Sequence, residues 1–422
     1  MKLLHPCMPL LAGLLTFGMA SGTLHARCGE LVNPKAGDIN VIGNAFPVLH
    51  HLGKEMESCS RGALKVQYKA VPSPQNEQEI LLAFGSSGPS AFDAAIVSMG
   101  TFTQVQSKGQ VQPLTDLVNK YRTKYRIEES MLVRVNGEVM AIAFMQNAQN
   151  LFYRKDLFDK HGLKVPASYP EMLATARTLK DKEPGIEFPI AQMFSKGWDS
   201  ATEFTNIFAG FGGRLFKPGS AAPDFNSDAG VKALETMKAM TAYMTPNYLA
   251  SNTDDVMNQF QQGKAAMGVT WASRAARMDD AAASRVVGKM EFAAAPAAVA
   301  GGKSATHLWW EGVVIPKNLA GDRETVFQVL MEALDEETVA AGNDLTVWVR
   351  SSYKPTRFGS GVAASARAGA PVWPTEPYFA FAHAELGKVI PEVLSGALAP
   401  KTALDQAAAG YAKVAADKGF LK

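Results

Sequence analysis

The chain has 422 residues, 47% hydrophobic and 19% charged, with 42 Lys and Arg against 40 Asp and Glu. That length exceeds one ordinary core, so two domains are expected, and the balance of apolar and charged residues excludes an extensively disordered chain. The basic residues are scattered, which excludes nucleic acid as the main partner.

Lys2, the apolar run Met8 to Ala20 and the small residues Ser21 and Gly22 read as a secretory signal peptide over 1–26, with cleavage after Ala20 or after Ala26. The run is too short to anchor the chain in a bilayer, and no other stretch reaches the ~18–20 apolar residues a span requires. A soluble exported protein is therefore expected. Of three cysteines, Cys7 leaves with the signal, so Cys28 and Cys59 are expected to form one disulfide in an oxidising compartment. The rival is a lipid anchor on Cys28, which Arg27 disfavours because a lipoprotein signal takes a small residue there.

From Asp38 the pattern alternates: strand Ile39 to Ile42, helix Phe46 to Cys59, strand Leu64 to Tyr68, helix Glu77 to Phe84, strand Phe92 to Val97. This predicts an α/β fold with a mainly parallel sheet, whose ligand loops lie beyond the strand carboxyl ends, at Gly43-Asn44 and Ser98 to Thr101. Next comes Asn136 to Leu163, where Gln146, Asn147, Gln149 and Asn150 separate two short apolar strand runs. Carboxamides donate and accept in fixed directions, which suits hydroxyl recognition, although a solvated loop has the same composition. Ser168 to Glu171 reads as a capping box opening a helix, and Val231, Leu234, Met237 and Met240 recur at helical spacing as core. Thr306 to Pro316 reads as a strand, Gly359 to Ala370 as a flexible surface loop, and Gln328 to Leu334 and Pro391 onward as helix.

Enzymatic signatures are absent. His50, His51, His161, His307 and His383 show no metal-ligand spacing, the Gly359 segment lacks the strand that a dinucleotide loop follows, and no P-loop or nucleophile elbow occurs. No metal and no cofactor are expected. The pairs Asp254-Asp255 and Asp279-Asp280 leave a secreted glycoside hydrolase as a minor alternative, though they read as solvated helix ends. Six tryptophans stand mostly beside Gly, Ser or Pro at element ends, where an indole stacks on the C–H face of a sugar while carboxamides meet its hydroxyls. Trp309 and Trp310, consecutive in a strand, must face opposite ways, so at most one stacks in a cleft.

In order, Phe92 to Ser98, Gly109 to Leu117, Leu151 to Phe158, Phe260 to Gly268 with Trp271, and Gly312 to Pro316 resemble the extracellular solute-binding proteins of sugar ABC transporters, the family of maltose-binding protein. The resemblance implies a two-lobed periplasmic-binding-protein fold of type II, a Venus flytrap with strands crossing between lobes. By that mapping the crossovers lie near Met140 to Gln149 and Trp310 to Val313, lobe one combines 28–141 with 265–311, and lobe two combines 142–264 with 312–422. It also implies a periplasmic, monomeric, non-enzymatic subunit that delivers its ligand to the permease of an ABC importer. Trp310 and Glu311 stand where the family often has glycines, so the cleft should suit a small sugar or polyol. Trp198 and Trp271 are then expected as stacking plates, Asn44, Gln146, Asn147 and Glu311 as hydroxyl partners, and Ser98, Trp310 and Arg350 as further ligand contacts. Another small solute (an acidic sugar, a polyamine or an oxoanion) is the alternative ligand, with Arg350 and Lys196 available to an anion.

Overall fold

A computed structural model describes residues 28–73 and 75–421; the signal peptide reading lies outside the described residues. Among the described residues, ten strands form two sheets. The larger contains β1 (Gly37–Asn44), β2 (Leu64–Val71), β3 (Ala94–Ser98), β4 (Leu132–Val135), β5 (Glu138–Asn147), β9 (Trp309–Val314) and β10 (Val347–Trp348); the smaller contains β6 (Gln149–Arg154), β7 (Met267–Trp271) and β8 (Met290–Ala293). The larger sheet runs β10-β5-β9-β3-β1-β2, with β4 on β5. Only β1 pairs in parallel, with β2 and β3. The parallel expectation therefore holds for the βαβ start and fails beyond it: β9, β5 and β10 border the crossings, and each runs antiparallel to its neighbour.

Local sequence explains the parallel half. β3 and the Ile39 to Gly43 stretch of β1 are mostly buried because helices cover both faces: Val41, Leu49, Leu52, Ile96 and Phe327 fill one side, and Ile42, Ile80, Phe84, Val97 and Phe102 the other. The second lobe packs its helices around Phe152, Phe204, Phe208, Phe260 and Tyr411. Its helix Tyr169–Lys182 begins as the sequence predicts, with Ser168 accepting from the Glu171 N–H.

The strand pairing corrects the lobe boundaries. β7 and β8 both pair with β6, so the 265–308 segment joins the second lobe, while β9 and the helix Arg323–Glu332 build the first. The expected first crossing range contains Ala148, but the expected second falls inside β9 beyond Leu308, the third is not expected, and the segments between them are assigned to the wrong side, because a strand's partner is set by tertiary register and not by its own pattern. The chain crosses at Ala148, at Leu308, and between Trp348 and Arg357, whose guanidinium reaches the Met290 carbonyl at 2.7 Å. Ala148, Ala272 and Val362 pack at this hinge with Leu308 and Val347. The Gly359 segment is likewise ordered: Ser360–Arg367 is a helix, and Ser365 Oγ accepts from the Ala295 N–H at 3.1 Å, bonding it to the second lobe.

Cys28 and Cys59 are disulfide-bonded, with Cα atoms 4.9 Å apart and a sequence separation of 31. The bond ties the segment before β1 to the end of the helix Pro47–Ser58. In the chain-entropy model, Cys28→Ser is expected to lower the unfolding free energy by about 3–4 kcal/mol, without changing ligand affinity. Denaturant melts with and without reductant check this; identical midpoints would contradict it.

Candidate functional site

The lobes meet just beyond the carboxyl ends of β1 and β3, where Arg274 reaches the Phe46 ring and Met99 packs into the second lobe's core. Gly197, at φ 91°, turns the chain in a way few L-residues tolerate and starts the helix Trp198–Gly210 with Trp198 at its first position. There Trp198 stacks on Trp271 at 6.2 Å between ring centroids and 30° between planes. Trp309 stands edge-on to Trp271 at 5.4 Å and tilted over Trp373 at 4.1 Å. His383 lies 5.8 Å from both Trp198 and Trp373. Its Nε2 is 3.1 Å from Thr202 Oγ1, and burial pushes the ring down to about 3, so it stands neutral. The four indoles differ in exposure: Trp198 is 41% exposed, whereas Trp271, Trp309 and Trp373 are 9%, 8% and 4%. Trp198 is thus the open face of an otherwise closed aromatic cage.

Beside the cage sit charges from opposite lobes. Glu311, on β9, pairs in register with Ser98 at the end of β3. Arg274 comes from the turn after β7, in the short helix Ala272–Asp279, and lays its guanidinium 4.1 Å from the Phe46 ring of the first lobe. Burial raises Glu311 to about 7, opposed by Arg274; burial lowers Arg274 to about 10, opposed by Glu311. The two feel each other yet form no direct ion pair among the described residues, so each keeps hydrogen-bonding capacity for a hydroxyl. Tyr68 donates to the Asn44 carbonyl at 3.0 Å, and burial and then Glu311 both hold its phenol protonated.

The raised Glu311 pKa fixes the sign of a pH effect. The folded state binds this proton more tightly than the unfolded chain, so the group's contribution to stability is complete below its ordinary 4.5 and is lost as pH rises through about 7. Glu311→Gln is expected to gain thermal stability relative to wild type as pH goes from about 5 to about 8. Parallel melting curves of the two proteins over that range check it, and a constant difference would contradict it.

The expected site residues separate into groups. Trp198, Trp271 and Glu311 come together at the lobe interface. Asn44 and Ser98 are half-buried at its edge, Asn44 capping the Ala45 N–H and Ser98 that of Thr101. Gln146 is exposed at the end of β5, opposite Trp310. Asn147 is buried and holds the hinge: its amide donates to Ser273 Oγ at 3.1 Å, and its oxygen accepts from the Ala148 N–H at 3.0 Å. Trp310 turns to the opposite face from Trp309 and packs edge-on against Phe102 at 5.2 Å. Arg350 is a correction. It is 3% exposed inside the first lobe, donating to the carbonyls of Leu334, Arg126 and Tyr125, because it closes chain ends that no helix satisfies. The paired carboxylates serve structure too: Asn252 and Asp255 form a capping box, Asp254 pairs with Arg277, and Asp279 pairs with Arg357.

Sequence reading missed Trp309, Trp373, Arg274 and His383. The alternation of Trp309 and Trp310 was legible, but choosing between them takes the register that sets Trp309 opposite Asn147. Trp373 had no such signal; its loop is placed by bonds to Leu308. Among the described residues no helix is long and apolar enough to cross a membrane, and no His, Cys, Asp and Glu group could hold a metal.

Residues 62–320 match the family model for bacterial extracellular solute-binding proteins. The chain belongs to that family. Among solved structures, this solute-binding protein superposes on an ABC transporter solute-binding protein of Agrobacterium radiobacter bound to ribitol, at TM-score 0.76 and 23% identity over 90% of this chain and 100% of that one. It superposes equally on one of Agrobacterium vitis with D-mannitol, at TM-score 0.76 and 18% identity over 91% and 100%. These likenesses show the two-lobed fold. Curated relatives include a mannitol-binding protein of Pseudomonas aeruginosa, 25% identical over 53% of this chain, and an uncharacterized ABC transporter extracellular-binding protein of Pyrococcus horikoshii, 29% identical over 36%. The matches span 52% and 35% of those relatives' own lengths.

Proposed function

We propose that this solute-binding protein captures a small sugar or polyol between its lobes, without chemical conversion, and delivers it as a periplasmic monomer to the permease of an ABC importer. The observation that carries the reading is the convergence, at the hinge, of an indole cage with a carboxyl and a guanidinium that come from opposite lobes and do not touch. Indole faces suit the C–H side of a polyol. Glu311 and Arg274 suit its hydroxyls, one accepting and the other donating. One carboxylate against one guanidinium leaves the site near neutral, which favours an uncharged ligand over an acidic sugar, a polyamine or an oxoanion. The mannitol-binding relative and the ribitol- and mannitol-bound neighbours point to the same class. Because the partners sit on both lobes, ligand binds the closed form better and shifts the population toward it.

Titrating the purified protein with alditols, hexoses and pentoses while following tryptophan emission tests this. A saturable response to at least one neutral polyol or sugar is expected, since the cage indoles change surroundings on binding. No response across the panel overturns the reading.

A further inference from the structure

A groove of about 830 Å³ lies in the second lobe, where the helix Trp198–Gly210 ends, separated from the indole cage by the loop that carries Trp373. Arg214, Lys217 and Lys303 line it, and Glu376 is the one carboxylate among its lining residues. Arg214 is engaged with Asp224 at 3.2 Å, but Lys217 and Lys303 have no ion pair among the described residues. The ring of His307 also lines the groove. That ring is 4% exposed and packs edge-on against Trp373 at 5.2 Å.

A chain of hydrogen bonds fixes the His307 ring. Asn206 donates to Gln149 Oε1 at 3.0 Å, and its own Oδ1 lies 2.7 Å from His307 Nδ1. An amide oxygen only accepts, so Nδ1 carries the proton and Nε2 presents a lone pair. Nε2 has no partner among the described residues. Burial pushes the ring down to about 3, so this lone pair stays unprotonated at neutral pH. The ring lines the groove and its Nδ1 is taken by Asn206, so the acceptor it has left to offer calls for a donor, and the excess of cations disfavours an ammonium.

We propose that this groove is a second binding site, distinct from the cleft, for a small hydroxylated anion: a hydroxyl donates to His307 Nε2 while the anionic group lies against Lys217 and Lys303. A sugar acid and a polyol phosphate share this chemistry.

The test uses D-gluconate and glycerol phosphate as probes, titrated by calorimetry into the whole mature protein, into Trp198→Ala, and into Lys217→Glu/Lys303→Glu. At least one probe is expected to bind wild type, to bind Trp198→Ala within about two-fold, and to weaken by about ten-fold or more in the double charge reversal, whose exposed positions leave folding intact. His307→Phe should weaken it as well. If that variant misfolds, the lysine variant still decides. Failure of both probes to bind, binding indifferent to the lysines, or binding lost in Trp198→Ala each overturns the proposal. A response to neutral polyols in the same protein keeps this outcome separate from the fate of the cleft reading.

Discussion

Trp198→Ala is expected to weaken binding of the cognate sugar or polyol by about 10²-fold, close to 2.7 kcal/mol, while leaving the fold intact. Trp198 is the indole that still meets solvent, so it has contact area left to give a ligand, whereas Trp271, Trp309 and Trp373 have spent theirs on one another. Removing a central aromatic anchor from a desolvated pocket typically costs 2 kcal/mol or more in binding. Folding should lose little, because the helix start is set by Gly197 and by the buried residues Phe204, Ile207 and Phe208 behind it. Calorimetric titration of wild type and variant, with circular dichroism as the folding control, checks the expectation. Affinity within about two-fold of wild type would remove Trp198 from the site and with it the main support for a stacking role.

Gly268→Ala is expected to destabilise the second lobe by about 4 kcal/mol, at the exceptional end for a single methyl. A Cβ at Gly268 would lie 1.8 Å from the carbonyl oxygen of Ala191, far inside contact distance, and backbone cannot step aside as a flexible side chain does. Gly268 is the second residue of β7, opposite Phe152 of β6, and β7 ends at Trp271. Any displacement therefore loosens the Ala191 N–H to Met267 carbonyl bond of 3.0 Å and moves the cage as well. Gly185→Ala is the matched control, since nothing lies within 4 Å of its Cβ, and it should stay within about 0.5 kcal/mol of wild type. Denaturant unfolding of both variants checks the contrast; equal stabilities would show that β7 can shift freely.

Much of the architecture was legible because local patterns and local structure coincide. The βαβ start follows from alternating apolar periods, the disulfide from two remaining cysteines, and the first crossover from the polar break after Met145. The four carboxamides of that break show the limit. They look alike in sequence, yet Gln146 is exposed, Asn147 ties the hinge to Ser273, and Gln149 and Asn150 are fully buried in the second lobe. Gln149 bonds Asn206 of the helix that carries Trp198, a partner 57 residues away that no local pattern announces. Arg350 failed for the converse reason: an arginine beside a strand end looks available to an anion, and only the packed first lobe shows its guanidinium spent on three carbonyls.

The sequence by itself determined the α/β class, the polar break at the first crossing and the abundance of indoles, since these depend on residue type and near-neighbour period. Tertiary structure alone decided which lobe each returning segment joins, which tryptophans converge, and that Arg274 faces Glu311 across the cleft. Those outcomes depend on strand register and on contacts between residues far apart in the chain, where a one-residue slip would turn every side chain to the other face.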